Sequence, residues 1–396
     1  MTAPPSLAIP DEVLEIARTL ESAGHEAWCV GGALRDALLG HPHTDYDFAT
    51  SATPAQVMKL FRHTAPVGER YGTVGVLDRR RVLHEVTTFR RDVTTDGRHA
   101  VVAYGVSLDD DLARRDFTIN AIAYHPLRHE WRDPFSGRAD LERRSVRAVG
   151  DPAERFREDY LRILRGLRFA ARFGFDLDPA TWDAAVAAAP GLSQLSAERV
   201  RDEWFKGLRS ARSVPELVGL WRRVGAAELW IPELAGSTGE GESHAGTVPL
   251  QRRDPVLLSA LLMDDAAPLL RRLRASNAEI ERAAAIARGP AGPAGDDARA
   301  VRRWLSAVGR AADDLLELHA IRTGSPAPWA SEVEAARTRG DPLSRGDLAL
   351  GGRELQALGL AGPRLGEVLG ILLDRVLDDP ALNTPDALRA IARELA

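Results

Sequence analysis

Chemistry is concentrated between Val30 and Thr50. An apolar run leads into Gly31-Gly32, Arg35 follows, and Asp45-Tyr46-Asp47 begins thirteen residues after Gly32. On a strand over residues 45–49, side chains alternate, so Asp45 and Asp47 share a face. Two neighbouring carboxylates repel unless a cation lies between them. Mg²⁺ takes carboxylates together with phosphate oxygens, and two such ions clamp the attacking and leaving oxygens of a phosphoryl transfer. Gly31 and Gly32 make a turn whose backbone amides, at a helix start, form an anion site. Arg35 lies close enough to fork onto a phosphate. An Asp-x-Asp or a Gly-Gly alone is usually a solvated or tight turn; their ordered combination is far more specific.

These residues need a mixed α/β frame. Residues 11–23 read as an amphipathic helix with Val13, Leu14, Ile16, Ala17 and Leu20 on one face. Residues 27–30 and 45–49 read as strands, and Thr53 as the cap of a helix starting at Pro54. Residues 73–77 and 82–88 form a hairpin around residues 78–81, with another strand near 101–104. Past residue 150 strand signals nearly vanish. Helical patterns cover 156–172, 179–187, 197–210, 215–224, 255–262 and 277–287, with loops expected over 235–248 and 288–297. The fold class is α+β: a mixed-sheet catalytic head at 1–145, a helical neck at 146–210 and a helical body and tail at 211–396.

Composition restricts the function classes. The chain has 396 residues, no apolar run near the roughly 20 needed to cross a bilayer, and an N-terminus without a basic, apolar leader pattern. A single cysteine, Cys29, excludes an internal disulfide and any Cys-rich zinc site. A cytoplasmic protein with no membrane association is the plain reading, and no protein partner is predicted. The net charge of −5 argues against nonspecific coating of nucleic acid, but it hides local clusters. Only Lys59 and Lys206 are lysines, so almost all positive charge is arginine. Residues 155–172 alone carry +4.

The segment from Val30 to Thr50 resembles the signature of class II tRNA nucleotidyltransferases and bacterial poly(A) polymerases, whose head is of the DNA polymerase β type. Further motifs follow in that family's order. Residues 114–121, Arg-Arg-Asp-Phe-Thr-Ile-Asn-Ala, are similar to its ribose-selecting motif. Residues 133–141 resemble its hinge motif, with Ser136 where a first glycine is usual. Glu158-Asp-Tyr-Leu-Arg162 resembles its base-reading motif, and residues 196–203 its neck-helix motif, which we read as structural.

The resemblance implies that Asp45 and Asp47 hold Mg²⁺ and orient a primer 3′-hydroxyl toward an α-phosphate. Glu85 is the candidate third carboxylate and Asp116 its competitor. Arg115, Asp116 and Asn120 would recognise ribose and phosphate, a 2′-hydroxyl being both donor and acceptor. Asp159 and Arg162, three apart on a helix over 156–172, would read the base. Cytosine and adenine each present an amino donor beside a ring-nitrogen acceptor, matching a carboxylate and a guanidinium. Uracil and guanine offer the opposite pattern and leave Asp159 facing an acceptor. Arg165 and Arg168 would lie nearer the triphosphate.

These expectations describe an enzyme that adds or repairs the CCA end of tRNA from CTP and ATP, or only its terminal A. The alternatives are a CC-only enzyme and a bacterial poly(A) polymerase. Residues 66–74 look like the tRNA enzymes, and the loop over 91–100 is largely retained, unlike in CC-only relatives. Intact Asp45 and Asp47 argue against an inactive RNA-binding module, and the helical body against a small-molecule acceptor. Met263 stands where an added phosphohydrolase domain would have a histidine, so no such activity is expected. An Asp45→Ala variant should lose all nucleotide incorporation; appreciable residual activity would refute the metal assignment.

Overall fold

The computed structural model describes residues 7–41, 46–68, 72–95, 100–236 and 239–395. Asp45 falls outside the described residues. The chain divides into two compact units, Met1–Ala235 and Gly236–Ala396.

The first unit opens with α1 (Asp11–Ser22), which buries Val13, Ile16, Ala17 and Leu20 as its periodicity requires. Then come β1 (Ala27–Val30), α2 (Gly32–Leu38), β2 (Asp47–Thr50) and α3 (Pro54–Leu60). Thr53 caps α3 by accepting from the Gln56 amide. The strands β3 (Thr64–Gly68), β4 (Thr73–Leu77) and β5 (Leu83–Thr88) follow, and β6 (Arg90–Thr95) pairs with β7 (Ala100–Tyr104) in a separate hairpin. After α4 (Leu108–Ala113) come β8 (Ala123–His125), β9 (Glu130–Arg132) and α5 (Gly137–Glu142).

Seven strands make one sheet in the order β3-β4-β5-β2-β1-β8-β9. Only β2 and β5 run parallel; the other neighbours are antiparallel. Both faces are covered, which is why β1 reads as a continuous apolar run. Cys29, Phe48, Val86 and Tyr124 pack with α1 and α3 residues on one side. Trp28, Val30, Ala49 and Ala123 pack with Leu108 and Leu112 of α4 on the other. Cys29 is fully buried, and burial pushes its thiol well up, so it is an inert core residue.

The first unit continues with the helices α6 (Pro152–Glu158), α7 (Leu161–Phe173), α8 (Pro179–Ala188), α9 (Ala197–Ser210), α10 (Val214–Arg223) and α11 (Ala226–Trp230). One expectation needs correction here. The helix predicted over 156–172 is broken between α6 and α7. Asp159 is extended, at φ −158° and ψ 105°, and its carboxylate accepts from the Leu161 amide at 3.0 Å, starting a new helix. Tyr160 packs on Gly191, where a Cβ would lie 2.1 Å from the ring. The apolar period runs across the break because Leu164, Leu167 and Ala171 stay buried, so periodicity alone did not reveal it.

In the second unit, α12 (Gly239–Thr247) occupies most of the stretch expected to be a loop over 235–248. Its glycines give poor helix propensity, but packing overrides that. Gly241 sits so close to α13 (Pro255–Leu262) that a Cβ would lie 2.3 Å from the Leu261 carbonyl oxygen. The loop after α14 (Ala267–Arg272) and α15 (Asn277–Arg288) is present as predicted. Leu348, Leu355, Val368, Leu372 and Leu388 belong to an apolar cluster of their own near the C-terminus. Among the described residues, no helix is long and apolar enough to cross a membrane.

The hinge segment explains its own sequence. Ser136 precedes α5 at φ 59° and ψ 35°, the left-handed region that favours glycine. Gly137 packs on the turn Thr118–Asn120, and a Cβ there would lie 2.0 Å from the Thr118 carbonyl oxygen. Asp133 holds the start of α5 by accepting from the Gly137 and Arg138 amides at 2.7 and 3.0 Å. In urea melts, Ser136→Gly should stabilise by about 0.5 kcal/mol after the unfolded chain's added freedom is subtracted. Gly137→Ala should destabilise by about 3 kcal/mol. The reverse order would contradict this packing.

Candidate active site

A cleft of about 810 Å³ in the first unit is lined by Gly31, Gly32, Arg35, Asp47, Glu85, Arg115, Asp116, Asn120, Asp159, Arg162, Arg165 and Arg168. These are all the expected site residues that the structure describes, gathered from segments over 130 residues apart. Asp45 lies outside the described residues.

Sheet register builds the acidic end. Val30 pairs with Asp47, and Phe48 pairs with Val86 across the parallel β2–β5 pair. Asp47 and Glu85 therefore stand next to each other on adjacent strands, and both line the cleft. Gly31 adopts φ 81°, and a Cβ on it would sit 3.6 Å from both Asp47 Oδ2 and Arg115 Nη1. The glycine thus serves a backbone turn and keeps the gap between acid and guanidinium open. Two carboxylates side by side suit a hard cation. Among the described residues, no three His, Cys, Asp or Glu side chains gather as a metal site.

The opposite wall is basic. Among the described residues, ten cationic side chains line the cleft against four carboxylates. Asp116 ties the segment after α4 to α7. Its Oδ1 accepts from the Phe117 amide at 2.8 Å and Asn120 Nδ2 at 2.9 Å, and its Oδ2 accepts from Arg165 Nε at 2.7 Å. Burial would raise its pKa, but the Arg165 charge and these hydrogen bonds overrule burial and hold it at about 2. Arg165 in turn is raised above the usual guanidinium range by Asp116. Arg168 donates to buried Glu203 on α9 at 2.6 Å. Arg115 Nη1 donates to the Asn120 carbonyl at 3.2 Å, while its buried Nε has no acceptor among the described residues.

Two expectations change in detail. Arg35 does not present an open fork to a phosphate. Its Nη1 donates to Asn120 Oδ1 at 2.6 Å, and its Nε and Nη2 engage Asp36 at 2.9 Å. Burial lowers its pKa and Asp36 partly restores it. Asn120 is correspondingly a bracket between Arg35 and Asp116. Asp159 and Arg162 both reach the cleft, but not as helix neighbours paired to each other. Asp159 Oδ2 accepts from Arg199 Nη2 at 2.6 Å. Arg162 is tied to Glu158 and donates to the carbonyls of Arg155 and Arg114, each at 3.1 Å.

Sequence reasoning missed Arg114, Phe169, Arg172, Arg199 and Lys206, which also line the cleft. Arg199, Glu203 and Lys206 are spaced four and three apart on α9, a stripe that helical periodicity would have placed on one face. Arg172 donates to Asp36 at 2.8 Å, a contact no local pattern encodes.

A family model described as the poly A polymerase head domain matches residues 27–147, and one described as the probable RNA and SrmB-binding site of polymerase A matches residues 174–236. A CCA-adding enzyme of Geobacillus stearothermophilus is 34% identical over 392 residues, spanning 96% of this chain and 95% of the relative. One from Streptococcus suis is 42% identical over 245 residues, spanning 59% of this chain and 57% of that one. The crystal structure of the Bacillus stearothermophilus CCA-adding enzyme in complex with CTP matches with a TM-score of 0.81 at 33% identity, covering 97% of this chain and 96% of that one. With sequence identity and architecture agreeing over nearly its whole length, this chain belongs to the family of CCA-adding enzymes that carry the poly(A) polymerase head.

Proposed function

We propose that this protein is a cytoplasmic, Mg²⁺-dependent nucleotidyltransferase that builds or repairs the CCA end of tRNA from CTP and ATP. The observation that carries this reading is the single cleft that joins the Asp47–Glu85 carboxylates to the arginine wall and to Asp159 and Arg162. The primer's 3′-oxygen bonds to the α-phosphorus, the bond to pyrophosphate breaks, and the hydroxyl proton leaves to solvent or a carboxylate. Asp45, Asp47 and Glu85 would hold Mg²⁺, which when bound lowers the hydroxyl pKa and neutralises phosphate charge. The register that puts Glu85 beside Asp47 favours it over Asp116, whose two oxygens already take bonds from Phe117, Asn120 and Arg165.

Arg115 beside Gly31, with Asp116 and Asn120, would meet ribose and phosphate. Asp159 would accept from the amino group of cytosine or adenine through a remaining lone pair, its two oxygens being held in place by the Leu161 amide and Arg199. Among the described residues, Arg162 keeps its Nε–H for the ring nitrogen, since its contacts to Glu158, Arg155 and Arg114 all run through Nη1 and Nη2. A mismatched base would leave buried groups unpaired, at about 1–3 kcal/mol each. Selection without a template thus needs only fixed donors and acceptors. The helical residues 211–396 would carry the tRNA.

The test incubates the protein with Mg²⁺, single labelled nucleotides, and tRNAs ending before the first C, after CC, or after CCA. Uptake of CTP and then ATP is expected. ATP uptake only on the CC-ended tRNA would reduce the activity to A addition, arrest after CC would mark a CC-only enzyme, and long A tails on arbitrary RNA would overturn the tRNA reading. Asp159→Ala should raise UTP and GTP misincorporation about tenfold or more; preserved fidelity with lowered activity would refute base reading by Asp159.

A further inference from the structure

Four guanidiniums crowd around two rings of α7. Phe169 and Phe173 are stacked with centroids 6.1 Å apart and planes 10° from parallel. The Arg35 guanidinium carbon lies 5.0 Å from the Phe169 centroid and 4.8 Å from that of Phe173. Arg168 and Arg165 lie 4.3 and 5.5 Å from Phe169, and Arg172 lies 4.9 Å from Phe173. The edge of Phe117 meets Phe169 at 84°, fixing the ring's tilt from the head side. Phe169 is buried at 4% exposure, yet it lines the cleft together with all four arginines.

Each arginine also has an acid partner: Asp36 for Arg35 and Arg172, Asp116 for Arg165, Glu203 for Arg168. An ion pair fixes one edge of a guanidinium. It leaves the plane free to tip about that edge, and like charges so close together favour splaying apart. A π face removes that freedom, because a planar cation held against it keeps its plane. Phe169 is the ring that touches both Arg165 and Arg168, with Arg35 and Phe173 packed against it as well.

We propose that Phe169 is a positioning residue for the triphosphate: its ring holds Arg165 and Arg168 as one bank whose open edges meet the nucleotide's phosphates, while base choice is made separately at Asp159 and Arg162. This rests on the nucleotidyl-transfer reading and adds to it the group that organises the phosphate side. A triphosphate carries more charge than a monophosphate and depends more on such a bank, whereas the base edge is indifferent to it.

The experiment measures equilibrium binding of CTP, ATP, UTP and CMP to the full chain without tRNA, for the parent, Phe169→Leu and Phe169→Tyr. Phe169→Leu keeps apolar bulk and removes the π face. It should weaken CTP and ATP about tenfold. The CTP-to-CMP affinity ratio should fall by a similar factor and the CTP-to-UTP ratio should hold. Phe169→Tyr should restore most of the loss. Equal weakening of CTP and CMP, a Leu variant that binds CTP like the parent, or no rescue by tyrosine would each overturn the proposal. If Phe169→Leu does not fold, Phe169→Met gives the same comparison. A parent protein that binds none of the nucleotides would instead refute the underlying reading, and the proposal with it.

Discussion

Like charges that must face one cleft impose the constraint around which the first unit is arranged. Among the described residues nine arginines line it, and eight of them are held by a carboxylate: Asp36, Asp111, Asp116, Glu158, Asp159 or Glu203. There are fewer acids than arginines, so the cleft stays positive and a polyanionic ligand completes the balance. The tether that matters most is Asp116–Arg165, because it joins the segment leading into the Thr118–Asn120 turn to α7. Asp116 is buried while Arg165 is one-third exposed, so the costly change is removal of Arg165, which strands the carboxylate at about 3 kcal/mol. The aromatic rings of α7 add what the acids cannot, a face against the guanidinium planes of Arg35, Arg165, Arg168 and Arg172.

The same arrangement separates two tasks. At one end, β2 and β5 set carboxylates side by side through strand register. At the other, the break between α6 and α7 frees Asp159 from a helix and turns its carboxylate toward Arg199. A continuous helix would have left Asp159 and Arg162 as an exposed surface pair. The break makes each of them the member of a different pair, pinned from behind and open in front. Net charge proved a poor guide to partners: the chain totals −5, while among the described residues its cleft is lined by ten cations and four acids.

Much of this could be read from the residues because it is local. Gly31, Asp47 and Arg115 sit in short motifs whose spacing encodes a turn and a strand, and the cap at Thr53 and the helix Ala197–Ser210 follow from local pattern. What could not be read is set by tertiary contact. The Asp159–Tyr160 break depends on Gly191, thirty residues on, admitting the Tyr160 ring. The helix over Gly239–Thr247 depends on close packing against the next helix, contrary to its propensity. Arg35 looked like a phosphate fork because its engagement by Asn120, Phe169 and Phe173 spans more than eighty residues of sequence. Ser136 is the opposite case, a departure from the family pattern whose left-handed backbone shows why glycine is usual there.

The most direct measurement of the central claim is a crystal structure of the full chain with CTP. The account predicts the cytosine edge on Asp159 and Arg162 and the phosphates against Arg165 and Arg168, with the α-phosphate facing Asp47. A nucleotide bound outside this cleft, or one inside it with the base toward the carboxylates of β2 and β5, would contradict the account.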